Sequence, residues 1–200
     1  MDKEIYTSDH DPIKNFFIPV FQRSVSYDIA VGYFSSNWFK DAAAGIVALF
    51  KNKGKSRWVI NPELSEEDWM IFKTLDNEAR IAYINNKVSI SLDNLYEELQ
   101  VDTRDTIAWL INKGILEFKF AVPTDRLSGI FHAKIGIFTD FDGNKIAFTG
   151  SYNSTSAANT NWEQIEIFCS WLENERVELK ASKFNKIWEK EENNLLIYSP

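Results

Sequence analysis

Two residues in the second half of the chain could act together on an anionic group. Apolar and polar side chains alternate from residue 131 to 138, which is typical of a β-strand with one buried face. His132 and Lys134 then share the other face, about 7 Å apart along the strand. A histidine can attack an electrophile and a lysine ammonium can neutralise an anion, so the pair suits chemistry on a phosphate.

Small polar residues follow this pair at the end of a second predicted strand, residues 145–149. Gly150 would let the backbone approach a phosphate closely, while the Ser151 hydroxyl and the Asn153 amide would supply neutral hydrogen-bond donors. The same residue types are also typical of an ordinary turn. Asn161 and Glu163 come next, at the start of a third predicted strand that runs to residue 168.

In this order and spacing the residues resemble the signature of the phospholipase D superfamily. The resemblance is closest to its nuclease branch, which includes metal-independent restriction-type endonucleases and the N-terminal domains of some helicases. It implies an α/β fold with a mixed, largely parallel β-sheet and helices on both faces. The matching groups are His132-x-Lys134, Gly150-Ser151-x-Asn153-x-Thr155 and Asn161-x-Glu163.

The resemblance also implies a role for most of these residues. His132 would attack phosphorus, and Glu163 would orient its imidazole ring. Lys134, Ser151 and Asn153 would bind the phosphate. Gly150 and Asn161 would shape the loops around it as accessory residues. No cofactor or metal is implied, and the chain has too few histidines and cysteines for a zinc site.

One position departs from the family pattern. The aspartate expected after the lysine falls on Thr139, and Asp140 comes one residue later. Either Asp140 takes the role through a local bulge or the aspartate is dispensable, and we favour the second interpretation. Asp140 is therefore only an accessory candidate. The Asp-Gly pair at 142–143 predicts a hairpin between two strands, although the segment faintly resembles a calcium-binding loop.

Several further elements must position these residues. We expect a helix over residues 11–23 with a kink at Pro19, then a strand over 27–34, a helix over 39–50 and a strand over 57–61 parallel to the first. Helices are predicted over 65–79, 92–99, 103–113 and 173–192, and a strand over 115–122. His10 lies in a polar N-terminal segment, where a solvated turn explains it.

Composition sets limits on the kind of protein. The 200 residues are 44% hydrophobic and fit a single domain, residues 1–200, which could be the N-terminal part of a longer protein. No segment is apolar enough to cross a bilayer, and we expect a cytoplasmic location. The net charge of -7 argues against a broad basic surface but allows a local basic cleft. Cys169 lies in an apolar run and is predicted to be buried.

The sequence thus predicts a metal-independent phosphodiesterase that cleaves nucleic acid, with DNA as the expected substrate, through a phosphohistidine. That mechanism needs two copies of the motif and the chain has one, so a homodimer with a shared site follows. A fused or associated helicase is an expected partner. A lipid phosphodiesterase and a catalytically weak nucleic-acid-binding module of a helicase or defence protein are the alternatives.

Overall fold

A single β-sheet organises the parts of the chain that the computed structural model describes. These are residues 5–32, 38, 41–62, 71, 74–76, 78–83, 86–87, 109–124, 130–152 and 162–199. The sheet has the strand order β1-β7-β6-β5-β2-β3-β4-β8. Its strands are β1 (Ile5–Thr7), β2 (Ser24–Val31), β3 (Lys55–Ile60), β4 (Leu116–Pro123), β5 (Lys134–Asp140), β6 (Lys145–Gly150), β7 (Gln164–Cys169) and β8 (Leu195–Tyr198).

The sheet is mixed, as expected, but the expectation that it is largely parallel was wrong. Only β2–β3 and β3–β4 pair in parallel among the strands that the structure describes. The other five neighbouring pairs are antiparallel. The difference arises because β5, β6 and β7 follow one another as an antiparallel meander, and because both outermost strands run antiparallel to their neighbours.

The predicted hairpin between β5 and β6 is confirmed. Gly143 has a φ of 83°, which a residue without a Cβ adopts readily. The Asp140 carboxylate accepts hydrogen bonds from the backbone N–H groups of Asp142 at 2.9 Å and Asn144 at 2.8 Å. This carboxylate therefore organises the turn.

Helices cover both faces of the sheet, as expected. On the first face lie a π-helical turn (Ile13–Phe17), helix α1 (Ile18–Phe21) and helix α2 (Ala43–Lys51). Helix α3 (Ser170–Trp188) covers the second face. Pro19 does not interrupt the N-terminal helical segment, because it is the second residue of α1, where a missing N–H is tolerated.

An aromatic core fills the space between the sheet and the first-face helices. Phe138 is stacked on Tyr27 at 4.4 Å and meets Phe21 edge-on at 4.9 Å. Such geometries are favourable beyond the area that they bury. Since Phe138 is buried here and Ile137 is buried under α3, the far half of β5 is covered on both sides. The expectation of a half-buried strand was therefore wrong for this half.

An ion pair helps to hold α3 on the second face. The Arg57 guanidinium donates to both oxygens of Asp28, at 2.8 and 2.6 Å, and to Asn185 Oδ1 of α3 at 3.0 Å. It also lies 5.1 Å from the ring centroid of Phe184. The hydrogen bond to Asp28 raises the pKa of Arg57 although burial acts in the opposite direction. Helix α3 is thus held on the sheet by a hydrogen bond as well as by packing against its aromatic side chains.

Both edge strands were missed by the sequence analysis. The N-terminal segment was expected to be solvated, yet β1 pairs with β7 and buries Tyr6. At the other edge, β8 pairs with β4. Strands of three and four residues are too short to show a clear periodicity. The predicted helix over 92–99 lies outside the described residues, as do most of those over 65–79 and 103–113, although residues 71, 74 and 78–79 are helical.

The structure also bears on two further predictions, the burial of Cys169 and the lack of a membrane-spanning segment. Cys169 is buried at the junction of β7 and α3, as predicted. Within the described ranges, no helix combines the length and the apolar character needed to span a bilayer.

Close packing of β5 against β6 yields a test of the fold. A Cβ added at Gly136 would lie 2.1 Å from Phe148 Cε1, so Gly136→Ala should reduce the free energy of unfolding by about 1–3 kcal/mol. Phe148→Leu should also destabilise, but it should make room for the new methyl group. The double variant should therefore lose less stability than the sum of the single variants in denaturant unfolding. Strict additivity would contradict this packing.

Candidate phosphate site

The His132–Lys134 pair lies at the amino end of β5, next to the carboxyl ends of β2 and β3. The Gly32 N–H, just after β2, donates to the carbonyl of Ala133 at 3.0 Å. The Phe131 N–H donates to Asn61 Oδ1 at 3.2 Å, just after β3. These two bonds fix the backbone on both sides of His132. Ligands of sheets with parallel strands commonly bind outside such carboxyl ends.

The two side chains of the pair are in direct contact. Lys134 Nζ lies 2.8 Å from His132 Nε2. An ammonium can only donate, so Nε2 accepts and the ring proton of a neutral His132 belongs on Nδ1. The Nε2 lone pair therefore points toward the lysine. His132 is exposed and Lys134 is half-buried, so an anion from solvent can reach both.

The surroundings favour the neutral form of each base. Partial desolvation lowers the pKa of His132, and the positive charge of Lys134 lowers it further. Desolvation also lowers the pKa of Lys134, whereas the negative charge of Glu163 opposes that change. Near neutral pH, His132 is therefore biased toward the unprotonated form that a nucleophile needs.

Gly150 and Ser151 lie at the end of β6, which is the same end of the sheet. A Cβ at Gly150 would lie 2.0 Å from the carbonyl oxygen of Gln164, so close pairing with β7 requires glycine here. The Ser151 hydroxyl accepts a bond from the Gln164 N–H at 3.1 Å, and the Ser151 N–H donates to the Gln164 carbonyl at 3.0 Å. Both residues thus have structural roles, and the Ser151 O–H retains a proton that it can donate.

Glu163 lies just before β7, with only 8% of its surface exposed. Glu163 lies at the end of the sheet where Gly150 pairs with Ile165, which is the end that carries the basic pair, and its negative charge opposes the lowering of the Lys134 pKa. Its backbone is held by Ser8: the Ser8 N–H donates to the Glu163 carbonyl at 3.0 Å, and the Glu163 N–H donates to the Ser8 hydroxyl at 2.8 Å.

The structure therefore brings together His132, Lys134 and Glu163 at one end of the sheet, with Gly150 and Ser151 on the neighbouring strand. Asp140 lies elsewhere, because six residues of β5 place it about 20 Å from Lys134. Burial acts to raise the pKa of Asp140, but hydrogen bonds from Asn144 and neighbouring backbone groups lower it overall. Asn153 and Asn161 lie outside the described residues.

Three residues near the site were not identified from the sequence. Gly32 leaves room for the histidine, since a Cβ there would lie 2.9 Å from His132 Cδ2. Asn61 and Ser8 act through backbone contacts between segments that are distant in the chain. Gly32 lies inside the predicted strand over 27–34 and Asn61 is the last residue of that over 57–61, so neither is marked as a site residue by the sequence, and Ser8 gives no signal.

In the part of the chain that the structure describes, no group of three or more His, Cys, Asp and Glu side chains has the arrangement to hold a metal ion.

Comparison with known proteins identifies the class of fold. The eight-stranded mixed sheet flanked by helices is a phospholipase D-like fold. NucT from Helicobacter pylori has a similar structure, with a TM-score of 0.57, 16% identity and coverage of 92% of this chain and 94% of that chain. Phosphatidylserine synthase from Haemophilus influenzae Rd KW20 has a TM-score of 0.56 and 11% identity, over 96% of this chain and 39% of that one. No protein-family model and no curated protein matches the sequence.

The contact between the two bases leads to a titration experiment. Lys134→Met removes a positive charge that disfavours the imidazolium, so the pKa of His132 should rise. Proton NMR of the histidine ring can follow this, because the chain has only two histidines and a His132→Gln variant assigns the signal. Lys145→Met is the matched control, since Lys145 pairs with Glu178 at the other end of the sheet. An unchanged or lower pKa in Lys134→Met would contradict the geometry.

Proposed function

We propose that this protein is a metal-independent phosphodiesterase that cleaves nucleic acid, with His132 as the nucleophile. The observation that carries the proposal is the contact between His132 Nε2 and Lys134 Nζ in an exposed site. A phosphate entering the site can replace the imidazole as the acceptor of the Lys134 hydrogen bond. The Nε2 lone pair then becomes available next to an electrophilic phosphorus.

The chemistry follows from these two groups. His132 Nε2 attacks phosphorus, the bond to the leaving oxygen breaks, and that oxygen takes a proton from a second histidine. Water then attacks the phosphohistidine and gives a proton to that second histidine, and the phosphorus–nitrogen bond breaks. Lys134 stabilises the negative charge on the phosphoryl oxygens in both steps, with the Ser151 hydroxyl as a neutral donor. The products are a phosphomonoester and an alcohol.

The need for a second histidine supports a homodimer. The chain supplies one His-x-Lys motif, and in one protomer His132 is exposed to solvent. A two-fold axis near the amino end of β5 would place the partner's copy of the same histidine across the phosphate. One imidazole would act as nucleophile while the other, protonated, acted as general acid.

The choice of nucleic acid over lipid rests on the site's surroundings and on the sequence motifs. One of the similar structures named above is a phosphatidylserine synthase, so the fold alone does not separate the two substrate classes. Trp162, next to Glu163, is 67% exposed and can stack on a nucleobase. Stacking is useful to a chain of net charge -7, because attraction to the phosphate backbone is weak. DNA as the substrate and association with a helicase come from the motif resemblance.

Removal of the nucleophile should abolish cleavage without unfolding the protein. His132→Ala should show no turnover of labelled DNA or RNA oligonucleotides, whereas its thermal unfolding midpoint should stay near the parent value because the side chain is exposed.

The parent protein should remain active in excess EDTA, because a histidine nucleophile needs no metal to activate water. A magnesium-dependent nuclease in the same buffer is the control for chelation.

Two results would overturn the proposal in different ways. Loss of activity in EDTA that magnesium restores would exclude the metal-independent mechanism. Turnover of phosphatidylcholine with no turnover of DNA or RNA would assign the same site to a lipid phosphodiesterase.

The stacking role of Trp162 can be tested separately from the chemistry. Trp162→Ala should raise KM for an oligonucleotide about tenfold and leave kcat nearly unchanged, since base stacking contributes about 1–3 kcal/mol. Trp171→Ala is a matched control, because Trp171 is also exposed but lines a groove with Arg23 and Asp140 at the other end of the sheet. Equal effects of the two substitutions on KM would argue against a stacking site at Trp162.

A further inference from the structure

The start of the chain makes an unusual connection to the site. Strand β1 pairs with β7 up to Thr7 and Gln164, and the next pair is Ser8 with Glu163. In such a hydrogen-bonded antiparallel pair, the two residues normally exchange two backbone N–H···O bonds. Ser8 makes only one of these in the usual way, when its N–H donates to the Glu163 carbonyl.

The second bond of this pair uses a side chain instead. The carbonyl of Ser8 turns away into a short 3-10 turn (Ser8–His10), where it accepts a bond from the Asp11 N–H at 3.3 Å. The Glu163 N–H donates to the Ser8 hydroxyl at 2.8 Å in place of that carbonyl. A residue without a hydroxyl would leave this N–H without its partner.

The turn itself is well anchored, so the hydroxyl has a defined position. The Thr7 N–H donates to His10 Nδ1 at 3.1 Å, and the buried ring of Tyr6 packs on Phe16 of the aromatic core with the centroids 5.5 Å apart. The N-terminal segment thus holds both backbone groups of Glu163, whose negative charge acts on Lys134.

We propose that Ser8 is a positioning residue: its hydroxyl fixes the backbone of Glu163 and thereby directs the Glu163 carboxylate toward the basic pair. The inference rests on the proposed function of the same site. It gives the N-terminal segment a role in the site through the backbone of Glu163.

The expected effect of losing the hydroxyl follows from the charges. The Glu163 carboxylate supports the protonated form of Lys134, so displacing it should lower the pKa of Lys134. Ser8→Ala should then reduce kcat about tenfold, as expected for one lost hydrogen bond at a catalytic group. The alkaline limb of the pH–rate profile should also move to lower pH, which a purely structural role would not produce.

Matched variants separate the hydroxyl from the shape of the side chain. Ser8→Thr and Ser8→Val introduce side chains of nearly the same size, but only threonine keeps the hydroxyl. We expect Ser8→Thr to retain most of the activity and Ser8→Val to behave like Ser8→Ala. Thr7→Val is the control within the same segment, because it removes a hydroxyl that contacts His10 and not Glu163.

A double-mutant cycle with Glu163→Gln decides how Ser8 acts. If Ser8 works through the carboxylate, Ser8→Ala should have little further effect on kcat in the Glu163→Gln background. Full additivity of the two substitutions, or normal activity and an unchanged pH profile in Ser8→Val, would overturn the inference.

A readout without substrate keeps this test apart from the proposed function. The pKa of the Lys134 ammonium, measured by NMR in the free protein, should fall in Ser8→Val but not in Ser8→Thr. If the parent protein cleaves no phosphodiester while this shift occurs, the proposed function fails and the positioning role stands. If the parent protein is active and the shift is absent, the positioning role fails alone.

Discussion

The pairing of β2 with β5 is the constraint on which both the sheet and the site depend. On one side of β2 lie the parallel strands β3 and β4, and on the other the antiparallel strands β5, β6 and β7. The register places Val31 opposite Lys134, and the bond from Gly32 to Ala133 extends the pairing by one step. His132 is thereby brought against Gly32, which has no side chain to displace it. A shift of one residue would turn the histidine to the face under α3.

The same end of the sheet combines exposure with local charge. The chain as a whole is acidic, yet the site presents a lysine and a histidine to solvent, with the acid next to them buried. This arrangement allows an anion to approach the pair, while the negative charge of Glu163 favours the protonated form of the lysine. The negative net charge of the chain therefore does not exclude an anionic ligand, because Lys134 supplies a local positive charge next to His132.

Much of the architecture was predictable because its signals are local. The apolar periodicity of α2 and α3, the parallel β2–β3 pair and the Asp-Gly hairpin all lie within short stretches of sequence. Strand alternation predicted that His132 and Lys134 share one face, and the motif resemblance predicted that Glu163 belongs to the same site. The direct contact between His132 and Lys134 was not predicted. Ser8 and Asn61 could not be found in this way, because each contacts backbone groups far along the chain. The prediction of a largely parallel sheet was wrong because the alternation of strands and helices in the first sixty residues does not continue through β5, β6 and β7.

The burial of Cys169 makes the molecule convenient for attaching probes. It is the only cysteine in the chain, and it is buried in the core between the sheet and the first-face helices with 8% of the residue exposed. Reagents that modify surface thiols should therefore react slowly with the unaltered protein. A cysteine introduced at an exposed position of α3, such as Leu179, would then be the single reactive site of each chain. Spin labels placed there would test the proposed homodimer, because two protomers would give one distance between labels without a background signal from Cys169.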